Sequence, residues 1–285
     1  MNFKNAEAEF FVPNKKSIDE ALKKTTHMGI GAHQDDLEIM AYHGILECFM
    51  NENKGFFGVI VSNGAGSPRD SLYASFSDED MQKVRRIEQK KAAFVGEYTG
   101  LVLLDYVSST IKDPYNQDVI NDLKKLISLA KPSFIYTHNL ADKHDTHVAV
   151  AVRVIQALRE LPREIHPQKL YGCEVWRSLD WLIDADKLIF DVAAHENLAA
   201  ALTGIYDSQI CGGKRYDLAT MGRRRANATY YETHGTDFTT AMIFAMDLTP
   251  LINDTQKDIT EYVVSYIDRF GQEVSKRLKQ TLKAH

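Results

Sequence analysis

The fold of this chain is organised around one stretch of sequence, Met28-Gly29-Ile30-Gly31-Ala32-His33-Gln34-Asp35-Asp36-Leu37-Glu38. It is typical of a buried strand that runs directly into the first turn of a helix. One imidazole and two carboxylates stand at that junction, and ligands of open α/β sheets bind at the carboxyl ends of the strands. His33 and Asp36 are three residues apart and can face the same side of a helix start, whereas Asp35 points elsewhere. The pair predicts two ligands of a divalent metal, and a zinc site needs at least a third.

A second strand-to-helix junction supplies candidates for the third ligand. The short apolar run 133–137 leads into a polar segment that contains His144 and His147, and an apolar helical pattern follows. His147 lies at the start of that helix, and His144 lies one turn upstream. Because junctions from neighbouring parallel strands meet at one edge of a sheet, we predict that this second junction, which carries His144 and His147, lies beside His33 and Asp36 and supplies the third ligand.

The rest of the chain alternates between strand and helix patterns. This alternation predicts a Rossmann-like α/β fold, with a mostly parallel, doubly wound sheet flanked by helices. The further strand patterns lie near residues 57–61, 101–104, 170–176, 187–191 and 241–246.

The two ends of the chain are predicted to lie outside this alternation. Residues 1–16 are polar and are expected to form an arm, and residues 253–283 read as an amphipathic helix that is interrupted or kinked at Gly271. We therefore predict a domain over residues 1–252 and a C-terminal helical extension over 253–285.

Within the domain, a single helix is expected at about 35–50.

Composition excludes several classes of protein. The chain has 285 residues and 44% hydrophobic content, which is enough to bury a large core. Its net charge of −5 does not indicate the basic surface that binds nucleic acid. No apolar run approaches the roughly 20 residues of a membrane span, and the N-terminus lacks the apolar segment of a signal peptide. Three cysteines without Cys-x-x-Cys spacing are typical of reduced thiols, so we expect a cytoplasmic protein.

Both junctions resemble the motifs of a known family. Residues 33–38, His-Gln-Asp-Asp-Leu-Glu, are similar to the His-Pro-Asp-Asp-x-Glu signature of the PIG-L/LmbE-like zinc N-deacetylases. Residues 144–147, His-Asp-Thr-His, are similar to the second motif of that family, His-Pro-Asp-His. The resemblance spans about residues 27 to 247. Weaker similarities lie at Arg85-Arg86-Ile87-Glu88, at Asp207-Ser208-Gln209 and at Arg223-Arg224-Arg225.

The sequence departs from the family pattern at two positions. Gln34 replaces the usual proline, which loosens the turn and leaves the ligands in place. Thr146 replaces the acidic residue that is thought to support the upstream histidine, His144 in this chain. Asp142 and Asp145 are the two candidates to take over that supporting role.

The resemblance implies a hydrolase that removes the acetyl group from an N-acetylated amino sugar conjugate of the N-acetylglucosamine type. His33, Asp36 and His147 would hold one Zn²⁺ per chain, or another divalent metal, and Asp35 would be the general base for attack by a zinc-bound water. Protonated His144 would stabilise the oxyanion, and it or Asp35 would protonate the leaving amine. The predicted partner is the small-molecule sugar conjugate, with no nucleic acid and no membrane span, and a homo-oligomer is compatible with the sequence.

Other polar residues near the motifs are interpreted more simply. Glu38, one turn beyond Asp35, fits either a supporting or helix-start charge or a catalytic group. The resemblance places a sugar-binding arginine after the second strand, which points to Arg69 as a substrate contact. Arg85 and Glu88 are spaced as an intrahelical ion pair, and residues 223–225 fit either a solvated face or a contact to an anionic substrate. The histidines without a visible partner stay unassigned: His138, His195 and His234.

Alternatives of other classes stay open. Because Thr146 interrupts the second motif, a non-catalytic metal- or sugar-binding relative is one alternative, and a zinc amidase acting on a non-sugar amide is another. Gly29-x-Gly31 after a strand suggests dinucleotide binding, but the third glycine of that motif would fall at Gln34. Gly212-Gly213-Lys214 is followed by Arg215, not by the Ser or Thr of a phosphate-binding loop.

Overall fold

The computed structural model describes residues 2–282 and is built around an eight-stranded sheet. The strands are β1 (Glu9–Phe11), β2 (His27–Gly31), β3 (Phe56–Ser62), β4 (Gly100–Tyr106), β5 (Phe134–His138), β6 (Lys169–Cys173), β7 (Leu188–Asp191) and β8 (Met242–Asp247). The α-helices are α1 (Ile18–Lys24), α2 (Asp36–Met40), α3 (Tyr42–Cys48), α4 (Asp78–Val95), α5 (Ser108–Lys112), α6 (Asp118–Ala130), α7 (Asp145–Arg159), α8 (Glu196–Gly204), α9 (Asp207–Ile210), α10 (Tyr216–Tyr230), α11 (Thr249–Asn253) and α12 (Ile259–Thr281).

Five parallel strands form the centre of the sheet, in the order β4-β3-β2-β5-β6. This is the doubly wound order, in which the direction of winding reverses between β2 and β5. Strand β1 pairs antiparallel with β4 at one edge, and β8 and β7 continue the sheet antiparallel beyond β6. The predicted Rossmann-like, mostly parallel fold is confirmed. The reversal also places the carboxyl ends of β2 and β5 side by side, where open α/β sheets bind ligands.

The central strands are buried on both faces, as parallel strands covered by helices are. Along β3, Phe57 and Val59 contribute to one apolar cluster, whereas Phe56 and Ile60 contribute to the cluster on the opposite face. Every residue of β2 and β3 is buried. The near-continuous apolar runs of these strands in the sequence follow from this double coverage.

The two glycines of β2 serve packing. A Cβ atom at Gly29 would lie 2.7 Å from the Phe56 ring and 2.9 Å from the Leu37 side chain, and one at Gly31 would lie 3.0 Å from the Cβ of Asp36. The glycines let α2 pack closely against the end of the strand. This close packing accounts for Gly29-x-Gly31 without a dinucleotide.

The prediction of an N-terminal arm over residues 1–16 is wrong for part of that segment. Glu9–Phe11 forms β1, and the Phe10 ring stacks on Phe3 with their centroids 5.0 Å apart. The strand is only three residues long and sits at an edge, so it leaves little periodicity in the sequence. The single helix predicted at 35–50 is also wrong, because the helical path breaks at Ala41 between α2 and α3.

The C-terminal helix differs from its prediction as well. Helix α12 begins at Ile259 and continues through Gly271 without interruption. Its first half contacts the rest of the chain, since the Tyr262 hydroxyl donates to the backbone oxygen of Asp247 at 2.6 Å. Residues 283–285, the end of the predicted extension, lie outside the described residues. Between residues 2 and 282, no helix has both the length and the apolar character needed to cross a bilayer.

Candidate metal centre

His33 and His147 meet at the point where the sheet reverses its winding. His33 follows β2, and His147 lies in the first turn of α7, which follows β5. The Nδ1 atom of His33 is 3.0 Å from the Nε2 atom of His147. The two carboxylate oxygens of Asp36 divide between these nitrogens: Oδ2 lies 3.4 Å from the His33 Nδ1 atom, and Oδ1 lies 3.4 Å from the His147 Nε2 atom. The three residues predicted as metal ligands thus lie close together, and His33 and His147 also form a group with His144 that could hold a metal ion.

The spacing and protonation of this group fit a divalent cation. A tetrahedral zinc ion holds nitrogen and oxygen ligands at about 2.0–2.2 Å, which separates neighbouring ligand atoms by about 3.3 Å. The 3.0 Å between the two imidazole nitrogens is close to that spacing, as is the 3.4 Å from each nitrogen to its own Asp36 oxygen. Burial lowers the pKa of His147 to about 4, so the ring is neutral, which is the form that binds metals. Burial opposes the ionisation of Asp36, but His147 and His138 hold its pKa well below the usual range.

His138, the last residue of β5, forms an overlapping group with Asp36 and His147. Its Nε2 atom lies 3.3 Å from the Asp36 carboxylate and accepts the backbone N–H of Ala32 at 2.9 Å. A nitrogen that accepts this N–H has no free lone pair for a metal. The His138 ring stacks on His147 with centroids 3.9 Å apart, so it fixes the position of the His147 ring. The sequence left this residue unassigned; its position at the end of a strand leading into the second motif is the signal that could have found it.

Asp142 holds the other side of His147. One of its carboxylate oxygens lies 3.3 Å from the His147 Nδ1 atom and accepts the backbone N–H of His144 at 2.9 Å. Burial opposes ionisation of Asp142, but the hydrogen bond and charge of His147 lower its pKa to about 2. A carboxylate behind a ligating imidazole fixes the ring orientation, and here it turns Nε2 toward His33 and Asp36.

The ring of His144 has no acidic partner. The Asp142 carboxylate reaches only its backbone, Asp145 is exposed, and no carboxylate of residues 2–282 pairs with the His144 ring. Its Nδ1 atom accepts the backbone N–H of Thr146 at 3.3 Å, which leaves Nε2 to carry the proton of the neutral ring. Burial and then the neighbouring His33 lower the pKa of His144, which favours the neutral form over the protonated form expected from sequence.

Asp35 lies beside the ligand group on a strained backbone. Its φ of 102° and ψ of −27° are rare for a residue other than glycine. The side chain does not cap α2 and instead pairs with the buried guanidinium of Arg85 at 3.1 Å. Arg85 also pairs with Glu88 at 3.6 Å, as the spacing predicted, and donates to the backbone oxygen of Gln34. Burial raises the pKa of Asp35 to about 7, against the opposing effect of Arg85.

Glu38 lies in a second layer behind Asp35. Its carboxylate accepts hydrogen bonds from the hydroxyls of Tyr98 and Tyr206, both at 2.6 Å, and from the amide of Gln89 at 2.9 Å. The Gln89 oxygen in turn accepts the backbone N–H of Asp35 at 3.3 Å. Glu38 thus supports the conformation of Asp35 through α4.

A cavity of about 560 Å³ opens over these groups. One wall carries the aromatic pair Trp176 and Tyr216, whose rings meet edge to face at 6.0 Å, with the Lys214 ammonium 5.1 Å from the Trp176 ring. Lys112 and Arg223 are the other cations of the lining outside the floor. The lining also contains His33, Asp35, Asp36, His144, Arg85, Asn63, Ser67 and Ser108.

The other predicted arginines lie away from this cavity. Arg69 is not part of the lining: its guanidinium donates to the Ala65 backbone oxygen at 2.8 Å and pairs with Asp78. Arg224 is buried and donates to the backbone oxygen of Glu38 at 2.7 Å. Only Arg223 of the three consecutive arginines reaches the cavity.

Comparison with known proteins places this site in a family context. The family model described as PIG-L: GlcNAc-PI de-N-acetylase matches residues 28–158, which include both histidine motifs. A search of curated proteins finds no significant match. Solved structures with a similar fold include N,N'-diacetylchitobiose deacetylase from Pyrococcus horikoshii, with a TM-score of 0.63 and 15% identity over 86% of this chain and 92% of that chain.

Two further structures show that the fold alone does not determine the reaction. GalB, the 4-carboxy-2-hydroxymuconate hydratase from Pseudomonas putida KT2440, has a TM-score of 0.59 and 16% identity over 79% of this chain and 96% of that chain. Dbv21, the A40926 pseudoaglycone deacetylase, has a TM-score of 0.55 and 17% identity over 79% and 97% of the two chains. The match over residues 28–158, with the shared fold, confirms the resemblance of this chain to the PIG-L/LmbE-like N-deacetylases.

Proposed function

We propose that this protein is a metal-dependent hydrolase that removes the acetyl group from N-acetylated amino sugar conjugates of the N-acetylglucosamine type. The observation that carries the proposal is the convergence of His33, Asp36 and His147, of which His33 and Asp36 line a cavity together with Asp35. The family match and the two deacetylases among the similar structures support the reaction class.

His33, Asp36 and His147 would hold one divalent cation. Two imidazoles and one carboxylate are a donor set of catalytic zinc sites, which keep a position open for water or substrate. When bound, the cation supplies Lewis acidity, which lowers the pKa of water and polarises an amide carbonyl.

Asp35 is the proposed general base. Burial raises the pKa of Asp35 above the usual range of a carboxyl group, which makes it a stronger base than an exposed aspartate. Arg85 holds the carboxylate in place through the 3.1 Å ion pair. As the new C–O bond forms, Asp35 accepts the proton that water loses. The protonated Asp35 then returns a proton to the nitrogen as the C–N bond breaks, which yields acetate and a free amine.

His144 is the proposed donor to the oxyanion. With Nδ1 engaged by the Thr146 N–H, the neutral ring presents an Nε2–H group, and His144 lines the cavity. A donor that is already in place when negative charge develops on the carbonyl oxygen stabilises the transition state. This role needs no positive charge on the ring, so the missing acidic residue at Thr146 does not remove it.

The cavity walls suggest how a sugar conjugate would bind. The apolar face of a sugar ring packs well on an aromatic side chain, a surface that Trp176 and Tyr216 provide. Lys112 and Lys214 line the same cavity, and neither forms an ion pair within residues 2–282. These free cations favour a conjugate that carries a negatively charged group.

The test is to load the full chain with zinc and offer a panel of N-acetylated sugar conjugates and non-sugar N-acetyl amides. We expect equal amounts of acetate and primary amine from at least one sugar conjugate, and no release after chelation. Asp35→Asn should keep the metal and lose turnover; activity in that variant would refute the base assignment. Release only from non-sugar amides would indicate the amidase alternative, and metal binding without any release would indicate a non-catalytic relative.

A further inference from the structure

The second half of α12 has no partner within the described chain. The first half is anchored by Tyr262 and by Arg269, which pairs with Asp186 at 2.6 Å. From Gly271 to Leu282 no residue is buried. The contacts there stay within the helix, such as the 2.6 Å pair between Arg277 and Glu273. About three turns of helix therefore extend from the body into solvent.

One face of this helix carries an exposed apolar stripe. Its members follow each other at spacings of three, four, three and four residues, which is the seam pattern of a coiled coil. The stripe consists of Val264, Ile267, Gly271, Val274 and Leu278. The four larger side chains are 44%, 46%, 42% and 55% exposed, respectively, so the domain itself does not cover them.

Gly271 is not required by the fold of its own domain. A Cβ atom added there would meet nothing within 4 Å, and the residue has ordinary helical backbone. Glycine in a helix interior is destabilising relative to alanine. At the centre of the stripe, however, it would let the backbone of a second helix approach closely.

On one flank of the stripe the charges change sign at Gly271: Glu261 and Asp268 lie before it, and Lys279 lies after it. Arg269 is paired with Asp186, and Arg277 is paired with Glu273. Two copies of α12 that cross antiparallel at Gly271 would place the acidic half of each helix beside the basic half of the other. A parallel pair would place like charges together, which is unfavourable. The surface is thus complementary to itself, as a two-fold dimer interface must be.

We propose that this protein dimerises through α12, with the stripe of Val264, Ile267, Gly271, Val274 and Leu278 packed antiparallel against the same stripe of a second copy. Pairing buries the apolar side chains and stabilises a projecting helical segment that is marginal alone in water. The contact is smaller than a standard protein interface, so the dimer is concentration dependent.

Sedimentation of the full chain between about 1 and 100 µM tests the proposal, and we expect the mass to rise from 32.3 kDa toward twice that value. Leu278→Glu places a charge in the seam and should weaken self-association about tenfold or more. Leu129→Glu is the matched control, because Leu129 is 50% exposed on α6 and away from the stripe. Circular dichroism verifies that both variants fold.

Cysteine cross-linking tests the orientation, in a Cys211→Ser background. Val264→Cys and Leu278→Cys should form a mixed disulfide when combined, and neither should link to itself efficiently. Several results would overturn the proposal: a monomer at every concentration, a dimer that Leu278→Glu leaves intact, or efficient self-linking of Val264→Cys. Binding of the monomer to anionic phospholipid vesicles, lost in Leu278→Glu, would assign the stripe to a lipid surface instead.

Discussion

The Nδ1 atom of His33 and the Nε2 atom of His147 lie 3.0 Å apart, although the two residues are separated by 114 positions in the chain. They meet because β2 and β5 are adjacent parallel strands at the point where the winding reverses. The two strands end side by side, so His33, which follows β2, and His147, which lies in the helix after β5, reach the same edge of the sheet. Asp36, one helical turn after His33, completes a donor set for a divalent cation.

Replacing Arg85 should change the pH dependence of turnover. Asp35 must be ionised to act as base, so kcat/KM rises with pH through its pKa, which lies at about 7 in the metal-free protein. Arg85 lowers that pKa, and therefore Arg85→Met should move the acidic limb to higher pH, whereas Arg85→Lys should leave it nearly in place. The pH profile of kcat/KM at full metal loading measures this. An unchanged limb in the folded Met variant would show that Arg85 does not act on the catalytic base.

Removing the Asp142 carboxylate should weaken metal binding. Asp142 lies 3.3 Å from the His147 Nδ1 atom, and loss of such a supporting carboxylate typically costs 10–100-fold in metal affinity. We expect Asp142→Asn to show a loss of that order in a competition with a zinc chelator. Asp145→Asn is the control, since Asp145 is exposed, and it should bind as tightly as the unaltered chain. Equal losses in both variants would contradict the assignment of His147 as the supported ligand.

The site was predictable from sequence where local motifs and strand order determine it. His33 and Asp36 share one turn, the two strand-to-helix junctions predicted that the second histidine motif lies beside them, and the family resemblance selected His147. The partners of these groups were not predictable, because they depend on how distant elements pack. Arg85 reaches Asp35 only because α4 lies against the carboxyl end of β2, and a spacing rule could offer only its pairing with Glu88.

The supporting residues of the site and the edge strands of the sheet were also not predictable, because they too depend on how distant elements pack. Asp142 was a candidate to support His144, but the loop fold directs its carboxylate to the ring of His147. His138 belongs to no recognisable motif, and it lies beside Asp36 only because β5 pairs with β2 in the sheet. Strand β1 is defined by its pairing with β4 and hardly by its own sequence.

Acid should destabilise the protein partly through His43, whose Nδ1 atom lies 2.9 Å from the Tyr136 hydroxyl. Burial lowers the pKa of His43 from 6.5 to about 4. Between these values the unfolded chain binds a proton that the folded chain does not, so the free energy of unfolding falls as the pH is lowered through this window. Above pH 6.5 the His43 ring is neutral in both states, so it does not change the pH dependence of the free energy of unfolding.

His43→Gln should make that pH dependence shallower, by up to about 1.4 kcal/mol per pH unit. Glutamine can still bond to Tyr136, and the measurement is urea unfolding of the metal-free protein between pH 4 and 7. The buried His27, whose pKa is also lowered to about 4, keeps its own contribution in the variant. Parallel pH curves for the two proteins would mean that His43 titrates normally in the folded state.

The lysines of the cavity should select for charged conjugates. Lys112→Ala combined with Lys214→Ala should raise KM for an anionic N-acetylglucosamine conjugate about 100-fold, because each substitution removes one charged hydrogen bond to the substrate. A neutral conjugate should be almost unaffected. Lys143→Ala, an exposed lysine outside the cavity lining, is the control. Equal losses on neutral and anionic substrates would argue that the lysines do not recognise charge.

Zinc affinity in three histidine variants shows whether His33, Asp36 and His147 hold the ion. We predict one zinc ion per chain in the unaltered protein and nearly the same stoichiometry in His138→Gln. In His33→Ala and in His147→Ala, zinc should bind at least about 100-fold more weakly. Competition with a chromophoric chelator gives each affinity, and circular dichroism confirms that each variant folds. If His33→Ala bound zinc as tightly as the unaltered chain while His138→Gln lost it, the ion would lie in the other histidine group and the proposed site would be wrong.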